Sequence, residues 1–181
     1  MSTLALALTI VTSAGLASAA SKRMPDGKQW MTENLNVEAA DSYCYDDAAA
    51  NCRRYGRLYT WSAAQQACEA AGSGWRLPTN DDWRRLAKQY GGVRDDSEDG
   101  GKAAWAALVS GGASGFDVLF GGGRTPDGRE YARLEAHGFF WTASESDPQS
   151  AWFYNFGQAR FLNRHRDGEK QRALSVRCVR D

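Results

Sequence analysis

Four cysteines, two histidines and paired carboxylates such as Asp95-Asp96 and Glu98-Asp99 are the side chains of this 181-residue chain that could do chemistry beyond hydrogen bonding. Zinc is a poor fit, because no C-x-x-C or H-x-x-x-H spacing occurs and His137 and His165 stand alone. An even number of cysteines fits disulfides formed in an oxidising compartment, with three pairings possible in principle. Cys44 and Cys52 lie eight apart around "YDDAAAN", a polar stretch suited to a small closed loop, which leaves Cys68 for Cys178. Two histidines are a thin supply for Ser-His-Asp or Cys-His catalysis, and His165 lies in a polar run that reads as solvated. Asp95-Asp96 and Glu98-Asp99 read as a solvated loop rather than a calcium site. The "GGG" at 121–123 lacks both the G-K-[ST] ending and the following helix of a phosphate loop. The expectation is therefore no catalytic residue, no metal and no cofactor.

The elements that must position these groups follow from periodicity and turn chemistry. "MPDGKQWMTENLNV" opens on a Pro-Asp-Gly turn and reads as a short strand carrying Trp30 and Met31. Thr60 is placed to cap a first helix with Trp61, Ala64 and Cys68 on one face, stopped at Gly72. Thr79 caps a second, where Asp81 and Asp82 occupy the first turn and Trp83, Leu86, Ala87 and Tyr90 form an i, i+3, i+4, i+7 stripe. "KAAWAALVS" predicts a short third helix. From residue 110 glycines and aromatics take over, and "FDVLF" and its neighbours read as short strands between tight turns. In 151–156, Trp152, Tyr154 and Phe156 share one face, Phe153 and Asn155 the other. Residues 159–164 and 172–180 read as two more strands, with Leu174, Val176 and Cys178 on a common face of the last. The fold class is α+β: two main helices on short antiparallel sheets, stapled by disulfides.

Composition bounds the rest. With 43% hydrophobic residues the chain supports one domain with a substantial core. A formal net charge of zero gives no reason to expect a nucleic-acid partner, although residues 151–181 hold seven Lys or Arg against three Asp or Glu. The uncharged segment 1–19 reads as a signal peptide, apolar from Leu4 to Leu16 and ending in an Ala17-Ser18-Ala19 cleavage site. That leaves 20–181 as a single exported domain, secreted or at the cell surface. Membrane association is expected only through export or an anchor not visible here.

"GKQWMTENL", "CYDDAAANCRRYGRLYTWSAAQQAC", "GWRLPTNDDWRRL", "FFWTASESD" and "LSVRCVRD" together resemble the Fibrobacter succinogenes major paralogous domain family, over nearly all of the exported part. That resemblance implies a C-type lectin-like fold related to the formylglycine-generating enzyme domain. Variable target proteins of diversity-generating retroelements use the same fold, displaying diversified side chains from the segment matching 140–181 here. In C-type lectin-like domains a disulfide characteristically links the first helix to the last strand, the places of Cys68 and Cys178. The formylglycine-generating activity needs a reactive cysteine pair in the C-terminal region, where this chain has Cys178 alone. Calcium-lectin motifs E-P-N, Q-P-D and W-N-D are absent, and "SDPQS" is a superficial echo.

What remains is a binding surface. Phe153, Asn155, Gln158, Arg160, Leu162, Arg164, Arg166 and Asp167 mix aromatic, amide, guanidinium and aliphatic groups opposite the expected core face, and Ser146, Asp147 and Gln149 flank them. Adenine-directed mutagenesis of asparagine codons reaches Phe153, Arg160, Leu162, Arg164, His165, Arg166 and Asp167, but not Gln158, Glu169, Lys170 or Gln171. The expected activity is non-catalytic binding of a protein or cell-surface ligand, with a formylglycine-generating-type secreted enzyme or a structural envelope module as the rivals.

Overall fold

A long antiparallel hairpin forms the spine of the computed structural model, which describes residues 20–181 except Ser73. The expected leader, 1–19, lies outside the described residues. The hairpin joins β7 (His137–Glu145) to β8 (Ser150–Gly157), and β9 (Leu162–Glu169) pairs on the far side of β8. Two short strands complete this sheet: β5 (Gly121–Arg124), parallel to β7, and β6 (Tyr131–Leu134), giving the order β6-β5-β7-β8-β9. The triple glycine is thus part of a strand. At Gly123 a Cβ would meet the Leu174 side chain at 3.0 Å, so close packing explains a glycine there. "FDVLF" contributes only the single bridge of Val118 to Val109.

β1 (Ser21–Arg23) and β10 (Val179–Arg180) flank β2 (Gln29–Met31) in a second sheet, and β3 (Ser42–Tyr43) pairs with β4 (Leu58–Tyr59) in a third. Four α-helices occur among the described residues, besides a 3-10 turn at Tyr45–Asp47. α1 (Ala49–Tyr55) corrects the expectation of a simple loop between Cys44 and Cys52: the short alanine-rich run propagates a helix inside the covalent ring. α2 (Trp61–Ala70), α3 (Asn80–Lys88) and α4 (Lys102–Leu108) lie where expected. The α3 start is a full capping box, with the Thr79 hydroxyl accepting the Asp82 amide and the Asp82 carboxylate accepting the Thr79 amide.

Successive residues of β7 and β8 bury into different cores. Phe140, Tyr154, Phe156 and, from β9, Leu162 pack with Trp83, Leu86, Ala104 and Leu108 of α3 and α4. Trp83 is the hub, with ring centroids 5.0 Å from Trp30 and 5.1 Å from a stacked Tyr154. On the other side Trp141, Ala151 and Phe153 pack with Ala64, Ala67 and Cys68 of α2 and with Leu174, Val176 and Cys178. The sulfurs of Cys68 and Cys178 are bonded across this second core, and Cys44 is bonded to Cys52.

Arg177 points away from that core and is itself fully buried. Its guanidinium donates to four carbonyl-type oxygens, those of Asn34 (2.8 Å), Met31 (3.3 Å), Phe116 and Asp117 (2.7 Å). Burial pushes its pKa down to about 9, opposed only by the more distant charges of Asp117 and Glu33.

Candidate functional site

The eleven residues expected to display a ligand surface divide among three places. Ser146, Asp147 and Gln149 form the β7–β8 turn, and Arg166 and Asp167 lie in a bulge of β9 beside it. The Ser146 hydroxyl donates to the Arg166 carbonyl, while Asp147 accepts the amides of Gln149 (2.8 Å) and Ser150 (2.7 Å). Those amides hold the Asp147 carboxyl below its ordinary range. Gln158 and Arg160 are exposed in the turn at the opposite end, about 20 Å away at the ordinary rise per strand residue.

The middle group corrects the expectation. Phe153 is 7% exposed and Leu162 is fully buried, so neither can face a ligand. Alternation along β8 separates two faces as expected, but both are covered, one by α3 and α4 and the other by α2. Asn155 is half-buried, 2.9 Å from His137 Nδ1, and Arg164 makes a forked ion pair with Asp95 (2.7 Å) and lies over Trp152 at 5.3 Å. That guanidinium lowers the Asp95 carboxyl. His165, expected to be solvated, instead stacks on Phe153 at 4.9 Å, and burial lowers its pKa.

At the Gln158–Arg160 end the surface continues into a cleft that sequence reasoning missed. Its volume is about 370 Å³, and its apolar walls are Trp105, Val109, Val118 and Phe120. Arg160 lies over the Trp105 ring at 5.9 Å, and the Trp105 and Phe120 centroids are 6.4 Å apart. Charged groups border it: Arg54 pairs with Glu135 at 3.1 Å, and the Tyr55 hydroxyl donates to the same carboxylate. Burial and then Glu135 raise the Tyr55 pKa. Trp105 Nε1 is buried without a hydrogen-bond partner. The walls come from α1, α4 and residues 118–120, so no local motif spans them. The hint in the sequence is Trp105 itself, a large aromatic in a short helix built mostly from alanine.

Chemically the cleft can hold an apolar body and offer charges at its edge. All four cysteines are in disulfides, His137 bonds to Asn155, and His165 Nε2 is buried and unpartnered. No cluster of three or more His, Cys, Asp or Glu side chains that could hold a metal occurs among the described residues. Asp96 instead pairs with Arg84 (3.1 Å), and Asp99 accepts the amides of Gly101 and Ala103 at the start of α4.

A comparison with curated proteins finds no match. The sequence profile of the Fibrobacter succinogenes major domain matches residues 20–180, essentially the whole described chain including both disulfides and the cleft. The chain belongs to the Fibrobacter succinogenes major domain family.

Proposed function

We propose that this chain is an exported, non-catalytic ligand-binding protein with a C-type lectin-like fold. Its ligand is a protein or other cell-surface molecule, held at the β8–β9 turn end. The observation that carries this reading is the apolar cleft of Trp105, Val109, Val118 and Phe120 set beside exposed Arg160 and Gln158. Aromatic walls ringed by guanidinium, amide and carboxylate groups are the composition of protein-recognition sites, where a few buried aromatics and arginines dominate affinity. The disulfide from α2 to Cys178, the residue just before the final strand, and the pairing of β2 with β10 support the lectin-like reading. Two disulfides, and no described helix long and apolar enough to cross a membrane, are compatible with a place outside the cytoplasm.

The variable target protein of a diversity-generating retroelement is the specific form of this proposal. Burial removes Phe153 and Leu162 from the codon-compatible set, leaving Arg160, Arg164, His165, Arg166 and Asp167. Sequencing the adjacent DNA for an asparagine-rich template copy of 140–181 and a reverse transcriptase tests that form.

Binding of the labelled protein to intact cells tests the surface itself. Wild type and Lys88→Glu, on the exposed face of α3, should be retained equally. Trp105→Ala and Arg160→Glu should lower retention about tenfold, the loss expected of a hot-spot residue. Undiminished retention of both cleft variants would remove this site.

A further inference from the structure

A second cavity, of about 400 Å³, lies between the start of α2 and the end of β5. Its lining is chemically unlike the cleft, combining the aromatic rings of Tyr43 and Trp61 with the cations Arg124 and Lys170 and the neutral polar groups of Thr60 and Gln171. Two carboxylates, Asp41 and Asp127, complete it.

Arg124 is the unusual member. Its guanidinium carbon lies 4.0 Å from the Tyr43 ring and 5.6 Å from that of Tyr131. Gly128 lets it lie there, since a Cβ at that position would come within 2.8 Å of the guanidinium, and its φ of +71° is one only glycine adopts freely. The Nε of Arg124 is buried without a partner, the rest of the guanidinium reaches the Tyr131 hydroxyl, and the nearby Asp127 carboxylate pairs with Arg129 instead, at 3.6 Å. A guanidinium held by two tyrosine rings and paired to no carboxylate among the described residues can offer its terminal N–H groups as a fork to a planar two-oxygen group.

The other groups decide what carries that group. Lys170 is already bonded to Glu145 (2.9 Å) and to the Pro148 carbonyl (2.9 Å), so it adds field rather than a free donor. Thr60, at the N-cap of α2, makes no capping bond, and the Gln171 amide has no hydrogen bond within the described residues. A compact inorganic anion would use neither of these and would offer Asp41 no donor. The aromatic rings are covered by the cations, Lys170 over Trp61 at 4.6 Å and Arg124 over Tyr43, so the polar groups select the ligand: a ring bearing several hydroxyls can donate to Asp41 and accept from the Gln171 amide and the Thr60 hydroxyl.

We propose that this cavity binds a carboxylated saccharide of the uronic-acid class. The sugar carboxylate lies on the Arg124 fork, and its hydroxyls meet Thr60, Gln171 and Asp41. The site is separate from the Trp105 cleft and independent of the function proposed for it.

Ligand-observed NMR titration of the intact, disulfide-bonded protein with methyl glucuronoside and methyl glucoside provides the test. Wild type should bind the glucuronoside at least about tenfold more tightly. Arg124→Gln should abolish that preference and Arg124→Lys should weaken it, because a point charge cannot replace the fork. Gln171→Ala, a milder change, should weaken glucuronoside binding about threefold with the thermal midpoint unchanged. Arg85→Gln, an exposed cation on α3 outside the cavity, should change nothing. Equal affinity for the two sugars, no glucuronoside binding by folded wild type, or a preference retained in Arg124→Gln would each overturn the proposal.

Discussion

Asp82 shows how much one side chain carries in this fold. Buried at the first turn of α3, it accepts from the Thr79 amide (2.9 Å) and hydroxyl (2.9 Å) and from Arg76 (2.6 Å). Burial alone would raise its carboxyl. The Arg76 guanidinium and the Thr79 donors outweigh that and hold it at about 2. A carboxylate whose folded pKa lies below its unfolded value adds stability above the unfolded pKa and loses it as pH falls through the folded one. The shift from 3.8 to about 2 corresponds to roughly 2 kcal/mol. Asp82→Asn should therefore cost about 2 kcal/mol in urea unfolding at pH 7, and the gap from wild type should close between about pH 4 and pH 2. A gap that persists at pH 2 would mean that the cost is steric. This residue was legible in advance, since Thr79 followed three residues later by an acid is a local signature. Arg177 was not legible, because its four acceptors come from segments far apart in the chain.

At the scale of elements, local signals placed α2, α3 and α4 correctly, since each carries its own period and breakers. α1 was missed because its apolar content is small and a polar ring around two cysteines looks the same whether helical or not. The glycine strand β5 was missed for a related reason: glycine carries no propensity for a strand, and only the neighbouring Leu174 and Phe139 make it one. The disulfide joining α2 to the final segment is the element-scale feature with the largest expected effect. Its Cα–Cα distance of 5.6 Å falls in the ordinary range for a disulfide, and it spans 110 residues. By loop-closure entropy it adds about 4 to 5 kcal/mol. Replacing both Cys68 and Cys178 by serine should lower the unfolding free energy by about that amount. Affinity at the Trp105 cleft, measured below the new midpoint, should stay unchanged, since neither sulfur lines it. Loss of affinity in a still-folded variant would show that the staple also shapes the site.

For the whole molecule, the governing fact is one sheet between two cores. Reading β8 by alternation assumed one wet face, as in a simple antiparallel sheet. The second core on α2 makes both faces dry, and nothing local in "AWFYNF" could reveal it. Display is thereby restricted to turns, bulge and edge, which sharpens an expected outcome. Phe153→Asp and Leu162→Asp should each cost about 3 kcal/mol or more by burying an unpaired charge. Arg166→Ser and Asp167→Ser should stay within about 0.5 kcal/mol in the same denaturant titration. If the first pair proved as mild as the second, the two-core arrangement would be wrong. The same arrangement has a mechanical side. β1 and β10 lie on either side of β2, so tension applied at both ends of the described chain enters through one small sheet. Once those pairs part, the Cys68–Cys178 bond completes a covalent path from one end to the other. Residues 69–177 then lie off the line of force. The hairpin, both of its turns and the Trp105 and Phe120 walls of the cleft ride in a slack loop, whereas the α1 wall with Arg54 and Tyr55 stays on the loaded path, so a pull on the ends would open the cleft while leaving the hairpin unloaded.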